Sequence, residues 1–118
     1  MDLPDEFTPI NLKAYLFQAF GVCVCTEFGP IIKELRKLLE WHAEDILERP
    51  SYDTLYEDTG TFYLLASQLS DLSLTEHGAS IRCAWLTPYG ERLLKALRET
   101  TAEELRSASG RSYTGFHY

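Results

Sequence analysis

The sequence predicts a mostly helical α+β domain carrying one small β-hairpin. Three observations predict it. An apolar stripe at helical spacing runs from Pro30 to about Glu48. Residues 74–86 read as two extended runs around a single turn glycine, Gly78. Thr87-Pro88 then joins an N-cap residue to a proline at the first helical position, which starts another helix abruptly.

In chain order, residues 1–8 read as a flexible lead. Residues 10–20 form a helix on Leu12, Tyr15, Leu16 and Ala19, with Gly21 placed to stop it. Residues 22–25 (VCVC) alternate and carry β-branched valines, which predicts a short strand or an extended link. The helix over 30–48 turns Ile31, Ile32, Leu35, Leu38, Leu39, His42 and Ile46 inward, and Arg36 and Glu40 pair at i,i+4 on its outer side. Pro50 ends it. One helical turn fits 51–57. A helix over 59–72, capped by Asp58 or Thr59, buries Phe62, Leu65, Ala66, Leu69 and Leu72 and leaves Tyr63, Ser67, Ser70 and Asp71 outside. In the hairpin, Ile81, Cys83 and Trp85 are predicted to share one face. The helix over 88–99 turns Leu93, Leu94 and Leu97 inward, and TAEE at 101–104 is a capping box for a last short helix. Residues 109–118 read as a second flexible end. The whole chain, 1–118, is expected to form a single domain.

With 118 residues, 45% of them hydrophobic, and seven Tyr, six Phe and two Trp, the chain has the material for a core. No apolar run is long enough to span a bilayer. The acidic start MDLPDEF lacks the basic and apolar regions of a signal peptide, so a cytoplasmic location is expected, with no membrane contact. Three cysteines, Cys23, Cys25 and Cys83, make no closed disulfide framework, and C-x-C lacks the spacing of a zinc knuckle. They are expected to be buried and inert, with no metal and no cofactor. His42 lies on the apolar stripe, whereas most of its neighbouring acids face water, so a partly buried structural histidine is expected rather than a general base. No nucleophile elbow, zincin motif or phosphate-cradling glycine loop is present, and no enzyme is expected.

The net charge is −7, and its placement carries information. Residues 50–81 hold five acids, Asp53, Glu57, Asp58, Asp71 and Glu76, and neither Lys nor Arg. Arg92, Lys95 and Arg98 form a basic ridge on the helix after Pro88, expected to pair with Glu91 and Glu99.

Two segments carry a family resemblance: LLASQLSDLSLTEHG and ASIRCAWLTPYGERLLKAL. Leu65, Leu69, Leu72 and Leu74, the turn glycine Gly78, and Leu86, Thr87, Pro88, Gly90, Leu93 and Leu94 stand where the winged helix-turn-helix domain of MarR- or PadR-type regulators has its pattern. Over residues 60–97 the chain resembles that domain, and the resemblance implies a winged-helix-like fold with a recognition helix at 59–72 and a wing at 74–86. It also implies a partner-binding surface on those elements. There this chain offers Tyr63, Ser67, Gln68, Asp71, His77 and Arg82, bordered by Asp53, Glu57 and Asp58. Ser73 replaces the family's usual glycine, and the helix before the recognition helix is short.

DNA affinity rests largely on neutralising phosphates with Lys and Arg. The recognition helix has neither and lies within the acidic stretch. The favoured expectation is therefore a small acidic winged-helix-like module that binds a basic protein surface, as an inhibitor or adaptor. Phage-encoded proteins that block bacterial defence share this size and charge. The alternative is a transcriptional regulator that binds DNA as a dimer, the Pro30 helix being long enough to pack on a copy of itself.

Overall fold

The computed structural model describes residues 6–22 and 28–108, and the fold is mostly helical with one small antiparallel hairpin. Five α-helices run in order: α1 (Pro9–Phe20), α2 (Phe28–Ala43), α3 (Thr59–Asp71), α4 (Pro88–Glu99) and α5 (Ala102–Ser107). A 3-10 turn at Tyr52–Thr54 precedes α3. Between α3 and α4 lie β1 (Thr75–Glu76), a second 3-10 turn (Ile81–Cys83) and β2 (Trp85–Leu86), with Thr75 opposite Leu86 and Glu76 opposite Trp85. The strand predicted at 22–25 falls mostly outside the described residues, as do positions 1–5 and 109–118.

Local chemistry sets the boundaries. Thr8 caps α1 by accepting from the Asn11 N–H (3.2 Å), and the Phe7 ring meets Tyr15 edge-on at 5.4 Å. Both contacts fall within the stretch read as a flexible lead, whose residues 6–8 are thus held against α1. Gly21 closes α1 in the left-handed region (φ 72°), where a glycine carries no Cβ penalty. Thr101 and Glu104 form the expected capping box of α5.

Two expectations are corrected. The helix predicted over 30–48 starts at Phe28 and ends at Ala43. Beyond it Asp45 captures the chain: its carboxylate accepts from the Leu47 N–H (2.8 Å), and its carbonyl accepts from Glu48 and Arg49 (3.0 and 2.9 Å). A short polar side chain here competes with helix continuation. The reversal brings Pro50 back, where its carbonyl accepts from Trp41 Nε1 (2.9 Å). Ile46, expected inside, is exposed. The hairpin is also shorter than the predicted 74–86. Ser80 caps a 3-10 turn by accepting from the Arg82 N–H (3.2 Å), so the alternation breaks. Ala84 is buried, Trp85 is 45% exposed, and Ile81 instead packs under Trp41 and Phe62.

The main core joins every helix: Leu12 and Leu16 of α1, Leu35, Leu38 and Leu39 of α2, Leu69 of α3, Leu93 and Leu97 of α4, and Leu105 of α5, with Leu74 and Leu86 from the hairpin. At about 2 kcal/mol for each large side chain removed from water, these residues dominate the stabilisation. A second cluster of Trp41, Phe62 and Ala66, bordered by Tyr52 and Ile81, packs α3 on α2. His42, expected to be structural, is 1% exposed, and its Nδ1 lies 2.9 Å from the Leu38 carbonyl.

Candidate interaction surface

The surface that the sequence singled out is built on α3. Asp58 starts this helix, its carboxylate accepting from the Gly60 N–H (3.0 Å) and the Thr61 hydroxyl (3.1 Å). Phe62, Ala66 and Leu69 then point into the molecule. Helical geometry forces Tyr63, Leu64, Ser67 and Asp71 to the other side, and all four are exposed.

Leu64 was not among the expected site residues. It is 76% exposed near the middle of α3. The sequence carried a signal for it: Leu64 is two residues after Phe62, about 200° round the helix, so the two cannot both face the core. Tyr63 beside it packs on Tyr52, with ring centroids 6.2 Å apart.

Tyr52 leads to Arg82, whose guanidinium lies 5.3 Å from the Tyr52 ring centroid. The Arg82 carbonyl accepts from Arg49 Nη2 at 2.9 Å, and the Arg49 guanidinium is stacked 4.0 Å over Trp41. Burial pushes the Arg49 pKa down from its ordinary value. Arg49 therefore holds the corner from beneath, a role that its place next to Pro50 did not reveal.

The nine expected residues are all exposed, but they do not form one patch. Tyr63, Ser67 and Asp71 share the α3 face with Leu64. Arg82 joins them through Tyr52. Asp53 stands in the 3-10 turn beside Tyr52, and Glu57 just precedes the Asp58 cap. Gln68 turns away, its amide donating to the Ala19 carbonyl at the end of α1 (3.4 Å). His77 sits at the hairpin tip, its Nδ1 3.0 Å from the Gly78 carbonyl.

The surrounding charges leave α3 acidic. Of the basic ridge on α4, Arg98 Nε donates to Glu40 of α2 (3.1 Å) rather than pairing with Glu99, and Arg36 approaches the same carboxylate (3.7 Å). Arg92 lies over the Tyr89 ring at 4.5 Å. Cys83, expected to be buried, is instead exposed with a free thiol, because the 3-10 turn at Ile81–Cys83 breaks the strand alternation; Cys23 and Cys25 lie outside the described residues. Among the described residues, no helix is long and apolar enough to cross a membrane. No protein-family model, curated protein or solved structure matches this chain.

Proposed function

We propose that this chain is a small acidic, winged-helix-like protein-interaction module that docks through the outer face of α3 and the adjoining Tyr52–Arg82 corner. The observation that carries the reading is Leu64. It is a large aliphatic side chain held in water at the middle of a helix face that has no Lys or Arg. Such a face has no Lys or Arg with which to neutralise the phosphates of duplex DNA, and its acids repel them. A protein partner suits it better. Leu64 and Tyr63 form an apolar centre, Arg82 a single cation at its edge, and Asp53, Glu57, Asp58 and Asp71 an acidic rim. Tyr and Arg are the residue types that concentrate binding energy in protein interfaces. The rim and the net charge of −7 steer the module to a basic surface, in the cytoplasm, where it acts by occupancy as an inhibitor or adaptor without catalysing a reaction. A phage-type block of nucleic-acid-binding machinery is one such role.

The second reading, a DNA-binding regulator acting as a dimer, draws on the order α3, hairpin, α4 and on Arg82 beside the hairpin. Two experiments separate them. In affinity capture from lysate, the wild type should retain a defined partner that is released as salt rises, and exposed-site Leu64→Arg should lose it by more than tenfold. Selection from random duplex DNA at moderate salt should enrich no sequence. Specific DNA enrichment, or capture indifferent to Leu64→Arg, would reverse the assignment.

A further inference from the structure

We propose that the cleft between the C-terminal end of α3, the hairpin and the start of α4 is a binding site for a phosphate group, carried by a small molecule or present as the free ion. The cleft has a volume of about 680 Å³. It lies at the hairpin end of α3 and stands independently of the partner assigned to the Leu64 face.

Its floor supplies the first argument. Thr75 is 2% exposed and lines the cleft, and its hydroxyl has no hydrogen-bond partner among the described residues. A buried hydroxyl left unmade is destabilising, and native folds rarely tolerate one without a use. The neighbouring Thr87 shows the contrast. Thr87 also lines the cleft, but its hydroxyl donates to the Ser73 carbonyl (2.6 Å) and accepts from the Gly90 N–H (3.1 Å).

The second argument is the donor set around that floor. The N-terminus of α4, a twelve-residue helix, opens at this cleft, and its dipole favours an anion. Arg92, stacked on Tyr89, lines the same wall, and His77 and Ser70 complete it. Donors from α3, the hairpin and α4 approach from several directions, which suits a tetrahedral group with three or more acceptor oxygens better than a planar carboxylate. One feature opposes the anion: Glu76 also lines the cleft. Removing its charge should tighten binding.

The test is titration of the full chain, by calorimetry and thermal melting, with inorganic phosphate in one arm and glycerol 3-phosphate in the other, each against chloride at matched ionic strength. Saturable binding is expected in at least one arm, and the tighter arm identifies the source of the phosphate. Arg92→Gln should weaken it more than tenfold, and Glu76→Gln should strengthen it several-fold. Thr75→Val gives the sharpest readout: without phosphate it should melt higher than the wild type, and with phosphate it should bind several-fold more weakly. Saturable binding weakened by either Arg92→Gln or Thr75→Val supports the site. Absence of binding beyond the chloride control in both arms, or affinity unchanged in both variants, overturns it.

Discussion

Ser73 and Gly90 show how single residues set this fold, and they do so in opposite senses. Ser73 ends α3 in the left-handed region (φ 62°), flanked by the Schellman bonds Ser73 N–H to the Ser70 carbonyl (3.0 Å) and Leu74 N–H to the Leu69 carbonyl (3.0 Å). A non-glycine residue in that conformation costs about 1 kcal/mol. Gly90 has no unusual dihedral, but a Cβ on it would stand 2.2 Å from the Leu74 carbonyl oxygen and 3.0 Å from Leu86 Cδ2. The glycine in LTPYG therefore serves close approach of α4 to the hairpin. Ser73→Gly should stabilise by about 0.5–1 kcal/mol, raising Tm by a few degrees. Gly90→Ala should destabilise by about 3 kcal/mol, because a rigid backbone carbonyl must move. Chemical denaturation of both variants measures the contrast. A neutral Gly90→Ala would mean that α4 does not pack this closely.

At the scale of elements, the start of α4 is the junction on which the hairpin and helices depend. Thr87 is buried, and its hydroxyl ties Ser73 at the end of α3 to Gly90 in the first turn of α4. Its N–H donates to the Leu74 carbonyl (3.1 Å), which extends the two-residue pairing of β1 and β2. Such short strands are weak alone. The cap holds them against the helices. Thr87→Ala should cost about 2 kcal/mol, at the upper end for an N-cap because two hydrogen bonds go at once. Thr87→Ser keeps both and should recover most of that loss. Native-state hydrogen exchange should show the difference on the hairpin amides as well as on α4. Protection lost in α4 alone would show that the cap does not couple the two elements.

For the molecule as a whole, pH dependence brings two opposing effects together. His42 is buried on the core side of α2, and its Nε2 has no hydrogen-bond partner among the described residues. Burial, the largest cause, lowers its pKa; the bond to the Leu38 carbonyl works the other way, and Arg49 adds to the lowering. The folded protein therefore binds this proton less readily than the unfolded chain. The stabilisation is fully present above the ordinary histidine value of about 6.5 and is lost as pH falls from there towards the lowered folded value, at no more than about 1.4 kcal/mol per pH unit. Over the same range, partial neutralisation of the −7 charge relieves self-repulsion and favours folding. The difference between wild type and His42→Leu isolates the first effect. Denaturation between pH 7 and 5 should show the wild type losing stability relative to the variant, with parallel curves above pH 7. Parallel curves throughout would place the proton of His42 elsewhere.

The sequence by itself determined the helical composition, the caps at Thr87 and Thr101, the inward face of His42 and the acidic stretch over 50–81, because each follows from local chemistry or from period and charge along the chain. Leu64, Arg49 and the Thr75 floor were decided only by tertiary structure. Leu64 is hidden in an apolar run until the phase of α3 against the core is fixed, although its distance from Phe62 held the clue. Arg49 acquires its place over Trp41 only when Asp45 reverses the chain, and a periodic pattern cannot report which of two competing hydrogen-bond arrangements wins. Whether Thr75 has a partner depends on groups from α3, the hairpin and α4, separated along the chain and brought together by packing alone.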